Sequence, residues 1–114
     1  ILGKLFAIFA IIIGVPLKDA SVVGALMGTK LVLNEMVAYV NLSHIATSIA
    51  PKSFMLASFA LCSFGNFGSI AIQIGGIGEL APNQKKNLAR LGLRALICGT
   101  LSCYLSAAIV GVLL

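Results

Sequence analysis

Charged residues are scarce in this sequence, and acidic ones most of all. The 114 residues include three acidic residues, one histidine and no tryptophan, and only 10% of them are charged. Soluble proteins carry about 25% charged residues. A soluble domain of this length leaves too much surface in water to hide a chain that is 60% hydrophobic. Lipid is therefore the expected solvent, and the sequence predicts an all-α integral membrane protein.

Cysteine and histidine are too few and too scattered for most site chemistry. Cys62, Cys98 and Cys103 are odd in number and lack a Cys-x-x-Cys spacing, so we interpret them as small buried packing residues rather than as metal ligands. His44 has no acidic residue placed to orient it for catalysis. A nucleophile and base pair is also lacking. The sequence therefore predicts neither an enzyme nor a cofactor-binding protein.

Charge-free runs at residues 54–78 and 95–114 are long enough to supply the roughly 20 residues that cross a hydrocarbon core. Because the first residue is Ile1 rather than Met, we interpret the chain as a fragment of a longer, multi-pass protein of the cell membrane. The predicted segments are an interfacial helix or span end at 1–18, a re-entrant hairpin at 19–49, a broken transmembrane helix at 52–81, a cytoplasmic basic loop at 82–90 and a transmembrane helix at 91–114.

The basic loop and the hairpin rest on specific residues. Basic residues beside a spanning helix usually stay in the cytoplasm, which favours a solvated loop over a nucleic-acid site for Lys85, Lys86, Arg90 and Arg94. Pro16 stops the first helix, and Asp19 is predicted to cap the next one. Gly24 and Gly28 are predicted to pack the hairpin. A hairpin followed by a broken span is typical of one half of an inverted-repeat transporter.

Glu35 is the most informative residue, because a carboxylate deep in a membrane segment costs on the order of 2.5 kcal/mol without a partner or water. A structural ion pair with Lys30 is one interpretation, although it needs the hairpin bend to bring the two together. A solute site is the favoured one, since intramembrane acids usually mark substrate or ion paths. A carboxylate beside the Asn34 carboxamide can hold two neighbouring hydroxyls, as on a sugar, unless Asn34 caps the hairpin instead.

Asn66 and Ser69 provide a second group of polar side chains at membrane depth. They share a face if the segment is helical, but Gly65 and Gly68 are equally compatible with an unwound turn. Unwound backbone exposes peptide groups that hold ligands or ions in transporters. Hydrogen bonding between helices is the simpler alternative. Together with Glu35, the pair favours a site.

Two long motifs carry a resemblance to a known family. The run from Gly28 to Tyr39, GTKLVLNEMVAY, resembles the G-x-K-x-x-x-N-E-F-V-A-Y signature of concentrative nucleoside transporters. The run from Leu61 to Ile70, LCSFGNFGSI, resembles the C-G-F-A-N-F-x-S-I block of the same family. The sequence departs from these patterns at Met36, Ser63 and Gly65. The last two flank Phe64 and are expected to change the pocket.

The resemblance implies a homotrimeric symporter that moves nucleosides into the cell with sodium or protons. It implies that Glu35, Asn66 and Ser69 bind the ribose and that Phe64 lies beside the base, with Asn34 in a supporting role. The coupling ion is expected to bind mainly outside this segment, in the remainder of the transporter chain. The alternative from the residues alone is a cation channel or pore-lining module in which Glu35 lines the pore.

Overall fold

The structure, a computed structural model, describes residues 2–113. This part of the chain consists of helices joined by short segments and contains no strand. The elements are α1 (Leu2–Ile12), α2 (Leu17–Val32), α3 (Glu35–His44), α4 (Pro51–Ala60), α5 (Phe67–Leu80), a short 3₁₀ turn (Pro82–Gln84) and α6 (Lys85–Leu113). The all-α prediction is thus confirmed.

Each proline lies where a helix begins. Pro16 immediately precedes α2, Pro51 is the first residue of α4 and Pro82 is the first residue of the 3₁₀ turn. Proline suits these positions because backbone N–H groups in the first turn of a helix make no hydrogen bond within the helix, so the N–H that proline lacks is not missed there. The reversal between α1 and α2 also contains Gly14, whose φ of 107° is disfavoured for residues with a side chain. These residues set the boundaries of the segments.

Gly24 of α2 packs directly on the backbone of α1. A Cβ at position 24 would lie 2.5 Å from the Ala7 nitrogen and 2.7 Å from the Gly3 carbonyl oxygen. Gly28 faces the same helix, where an added Cβ would lie 3.5 Å from the Phe6 ring. The two glycines therefore pack the first arm of the hairpin, and the helix that it packs against is α1. Small residues allow this close approach of two helices.

We expect Gly24→Ala to destabilise the complete transporter by about 1–3 kcal/mol, because α1 must move to admit the added methyl group. Gly99→Ala is the matched control, since a Cβ there meets no atom of residues 2–113 within 4 Å and alanine is the better helix former. Thermal unfolding in detergent measures both variants. Equal unfolding temperatures for the two would contradict this packing.

Asp19 lies in the first turn of α2, but it does not cap that helix as predicted. Pro16 is the N-cap residue, and the Asp19 carboxylate instead accepts hydrogen bonds from the Ala50 backbone N–H at 3.1 Å and the Ser53 hydroxyl at 2.6 Å. Ala50 has no side chain that can cap α4. Asp19, from a distant part of the chain, therefore provides the hydrogen-bond acceptor at the start of α4 and connects α4 to the hairpin.

The broken helix consists of α4 and α5, separated by residues 61–66. Two side chains hold the end of α4 in place. The Tyr39 hydroxyl of α3 donates to the Ser58 carbonyl at 2.7 Å, and the Cys103 thiol of α6 lies 3.1 Å from the Phe59 carbonyl. The hairpin and the last helix are thus both fastened to the segment that precedes the break.

The segment 82–90 is not the predicted loop. After the 3₁₀ turn, α6 begins at Lys85 and is continuous to Leu113. Lysine and arginine are good helix formers, so a basic cluster does not stop a helix. The stretch Pro82–Leu113 is long and apolar enough to cross a membrane. Lys85 forms a 3.2 Å ion pair with Glu79, which joins α6 to the end of α5.

The cysteine interpretation is correct for one residue of three. Cys103 is buried, whereas Cys62 and Cys98 are exposed on this segment. Cys98 lies on the outer side of α6, a position that hydrophobic periodicity in so apolar a helix does not reveal. The buried core joins α1, α2, α3, α4 and α6, and its fully enclosed members are Ala10, Val23, Met27, Ala38, Leu56, Ala57, Ala60, Leu61 and Ala107.

Candidate functional site

The hairpin bend presents Glu35 at the first turn of a helix. The chain leaves α2 at Val32, and Asn34 caps α3 through its Oδ1 atom, which accepts the Val37 backbone N–H at 2.9 Å. Glu35 is the first residue of α3 and is half-buried. A carboxylate is favoured there by the positive end of the helix dipole. Asn34 could bind solute or cap the hairpin helix, and in the structure it is the cap of α3.

The break in the second helix presents Asn66 in the same way. Its Oδ1 atom accepts the Ser69 backbone N–H at 2.8 Å and caps α5. Its Nδ2 atom donates to Glu35 Oε2 at 3.3 Å, and the residue is only 5% exposed. One carboxamide thus caps α5 and also contacts the acid on the hairpin. Glu35 and Asn66 are 31 positions apart in the sequence, and the structure brings their side chains into contact.

Phe64 lies in the break, and Ser69 lies in the first turn of α5. The Ser69 hydroxyl donates to the Phe64 carbonyl at 2.6 Å, so it closes the turn and keeps its lone pairs for other donors. The Phe64 ring is 77% exposed on this segment. Asn66 and Ser69 do not form one regular helical face, because Asn66 lies outside the helix as its cap. The segment thus contains both predicted conformations, because Asn66 lies in the unwound turn and Ser69 lies in the helix that follows it.

Lys30 does not form the ion pair with Glu35 that was considered from the sequence. It is the largest fully buried side chain in the described residues, at 1% exposure, and its ammonium group donates to the Ser63 hydroxyl. The single ion pair within residues 2–113 is the one between Lys85 and Glu79. Sequence reasoning singled out Ser63 as a departure from the family pattern but gave no signal that Lys30 contacts it.

A cleft of about 390 Å³ lies between α5 and α6 and shares two residues with this site. Asn66, Ser69 and Gln73 provide polar groups on the α5 side, and the α6 side is apolar. Glu35 and Phe64 are not part of its lining. Among residues 2–113, no three His, Cys, Asp or Glu side chains are grouped closely enough to hold a metal ion.

The fold and the site together define a class of protein. Two helices begin within apolar stretches of the chain, one after a hairpin bend and one after a break. Each is capped by an asparagine, and Glu35 lies beside both caps. Discontinuous helices of this kind form the solute sites of secondary membrane transporters.

Comparison with known proteins gives the family. A family model described as "Na+ dependent nucleoside transporter C-terminus" matches residues 1–111. The chain therefore belongs to this family of nucleoside transporters, as the sequence motifs predicted. Its relatives are membrane transporters and permeases rather than enzymes, which agrees with the prediction of no enzyme activity.

Individual relatives match over almost the whole chain. It is 50% identical over 111 residues to "Uncharacterized transporter YutK" of Bacillus subtilis, covering 97% of this chain and 28% of that protein. It is 39% identical over 116 residues to "Nucleoside permease NupC" of Helicobacter pylori, with coverage of 97% and 28%. The solved structure of CNTnw in an inward-facing substrate-bound state superposes with a TM-score of 0.89 at 43% identity, covering 96% of this chain and 28% of that one. The chain thus spans little more than a quarter of these relatives.

Proposed function

We propose that this chain is the C-terminal part of a cation-coupled symporter that carries nucleosides into the cell, and that it supplies the ribose-binding half of the site. The contact between Glu35 and Asn66 carries the proposal. It joins the hairpin to the broken helix, so a solute held there touches both discontinuous elements.

The chemistry of this contact suits a sugar with two neighbouring hydroxyls. An ionised carboxylate only accepts hydrogen bonds and has two oxygens to offer. The Glu35 carboxylate is therefore matched to the paired donors of a ribose, and the Asn66 carboxamide supplies a donor beside it. The exposed Phe64 ring provides a flat apolar surface for the base. Ser69 accepts a further sugar hydroxyl, while Asn34 positions Glu35 by capping its helix.

The driving ion and the assembly belong to the same proposal. The family description names sodium, so sodium is the first coupling ion to test and the proton is the second. The ion binds mainly in parts of the transporter outside this chain. The complete protein is a multi-pass homotrimer in the cell membrane, with the basic start of α6 on the cytoplasmic side.

Uptake of labelled uridine by the complete transporter in liposomes tests this function. We expect saturable uptake that unlabelled nucleosides inhibit and that an inward gradient of one of the two cations accelerates. Competition by 2′,3′-dideoxyuridine tests the ribose contact. Because each lost hydrogen bond to a charged group costs about 1.5–3 kcal/mol, we expect it to compete at least about 100-fold more weakly than uridine.

Two results would contradict the proposal at different levels. Equal competition by uridine and its dideoxy analogue would show that Glu35 does not bind the ribose hydroxyls. Flux that rises linearly with concentration, without competition, would instead indicate a pore lined by Glu35.

A further inference from the structure

Lys30 has an unusual position for a charged side chain. It is 1% exposed, and no carboxylate of residues 2–113 pairs with it. A buried charge without an ionic partner is expensive, so its hydrogen bonds matter. The partner within the described part of the chain is the Ser63 hydroxyl, 33 positions further along. The proposed site does not use this contact.

Ser63 lies at the start of the turn that carries the site residues. Its backbone N–H bonds to the Leu61 carbonyl at 2.9 Å, and Phe64 and Asn66 follow within three residues. Any shift of Ser63 therefore moves the Phe64 ring and the start of α5. Residues at such positions act on a site through geometry rather than through direct contact.

The two arms of the hairpin hold this turn at both ends. Lys30, in the last turn of α2, binds it at Ser63, and Glu35, in the first turn of α3, binds it at Asn66. Phe64 lies between these two contacts, and its ring is 77% exposed on this segment. The hairpin thus sets the spacing of the turn as well as contributing an acid to the site.

We propose that Ser63, held by the buried Lys30, is a positioning residue that sets nucleoside affinity and base preference by placing Phe64 and Asn66 against Glu35. The proposal rests on the proposed function. A serine provides an acceptor for the ammonium group that glycine or alanine lacks. The nature of residue 63 therefore decides whether the turn is fixed or free to shift.

Matched substitutions in the complete transporter test the pair. Ser63→Ala removes the acceptor, Ser63→Thr keeps a hydroxyl, and Lys30→Met keeps length without charge. Kinetics of uridine and adenosine uptake give KM and kcat for each. We expect Ser63→Ala to raise KM about tenfold, which corresponds to the loss of one hydrogen bond, and to change the uridine-to-adenosine ratio of kcat/KM. Ser63→Thr should stay close to the unmodified protein.

The link predicts that the two positions act as a unit. The double variant with Lys30→Met and Ser63→Ala should lose no more than Lys30→Met alone, because one contact cannot be removed twice. Ser106→Ala is the control, since this exposed hydroxyl bonds to the Ser102 carbonyl of its own helix. Thermal unfolding of each variant separates a change in site geometry from a loss of stability.

An unchanged KM and an unchanged base preference in Ser63→Ala would overturn the positioning role, and so would additive losses in the double variant. If Lys30→Met does not fold, the comparison of Ser63→Ala with Ser63→Thr decides the matter alone. Failure of the proposed function is a different result, because the unmodified protein would then show no saturable nucleoside uptake.

Discussion

Replacing Glu35 with glutamine is expected to abolish saturable nucleoside uptake by the complete transporter. Glutamine keeps the size of the side chain but converts one acceptor oxygen into an NH₂ donor that faces the sugar hydroxyls. The loss of two charge-assisted hydrogen bonds, each worth about 1.5–3 kcal/mol, lowers kcat/KM by at least about 100-fold. Initial uptake rates in liposomes, normalised to the amount of protein, measure the effect.

Glu79→Gln is the matched control, because Glu79 is exposed and its ion pair with Lys85 lies at the surface. Surface pairs of this kind contribute about 1 kcal/mol or less, so uptake by this variant should be nearly unchanged. A saturating nucleoside should also raise the unfolding temperature of the unmodified protein but not of Glu35→Gln. Normal uptake by Glu35→Gln would remove this residue from the site.

The sequence was sufficient to predict the elements that contain the site. Three prolines mark the starts of helices, and the polar interruptions at Asn34 and Asn66 mark the bend and the break. These signals are local, since proline and a capping asparagine act on the backbone within one turn. Glu35 was predicted as a site residue for a similar reason, because a carboxylate in an apolar stretch is visible in the sequence itself and usually marks a substrate or ion path.

Contacts between distant parts of the chain could not be predicted in this way. Asp19 was expected to cap its own helix, yet it bonds to Ala50 and Ser53, and Lys30 bonds to Ser63 rather than to Glu35. A side chain that accepts hydrogen bonds from the start of a distant helix leaves no periodic signal in the sequence. Three-dimensional packing decides which of several chemically suitable partners it meets.

Replacing Asn66 with aspartate is the second change with a large expected effect. Aspartate caps a helix about as well as asparagine, so the start of α5 is retained. It lacks the amide donor, however, and it places a second carboxylate at the position that now lies 3.3 Å from Glu35. Like charges at this distance oppose ionisation of both groups, and we expect uptake at neutral pH to fall about 100-fold.

Asn66→Ser separates the two losses. Serine also caps a helix, but it removes the amide donor without adding charge, so we expect a loss of only about tenfold, the equivalent of one hydrogen bond. Asn87→Asp is the control, because Asn87 is exposed on α6 and bonds to Gln84 and Arg90. The unfolding temperatures of Asn66→Asp, Asn66→Ser and Asn87→Asp should be similar. Equal losses in Asn66→Ser and Asn66→Asp would show that proximity to the Glu35 charge is unimportant and that the amide donor alone matters.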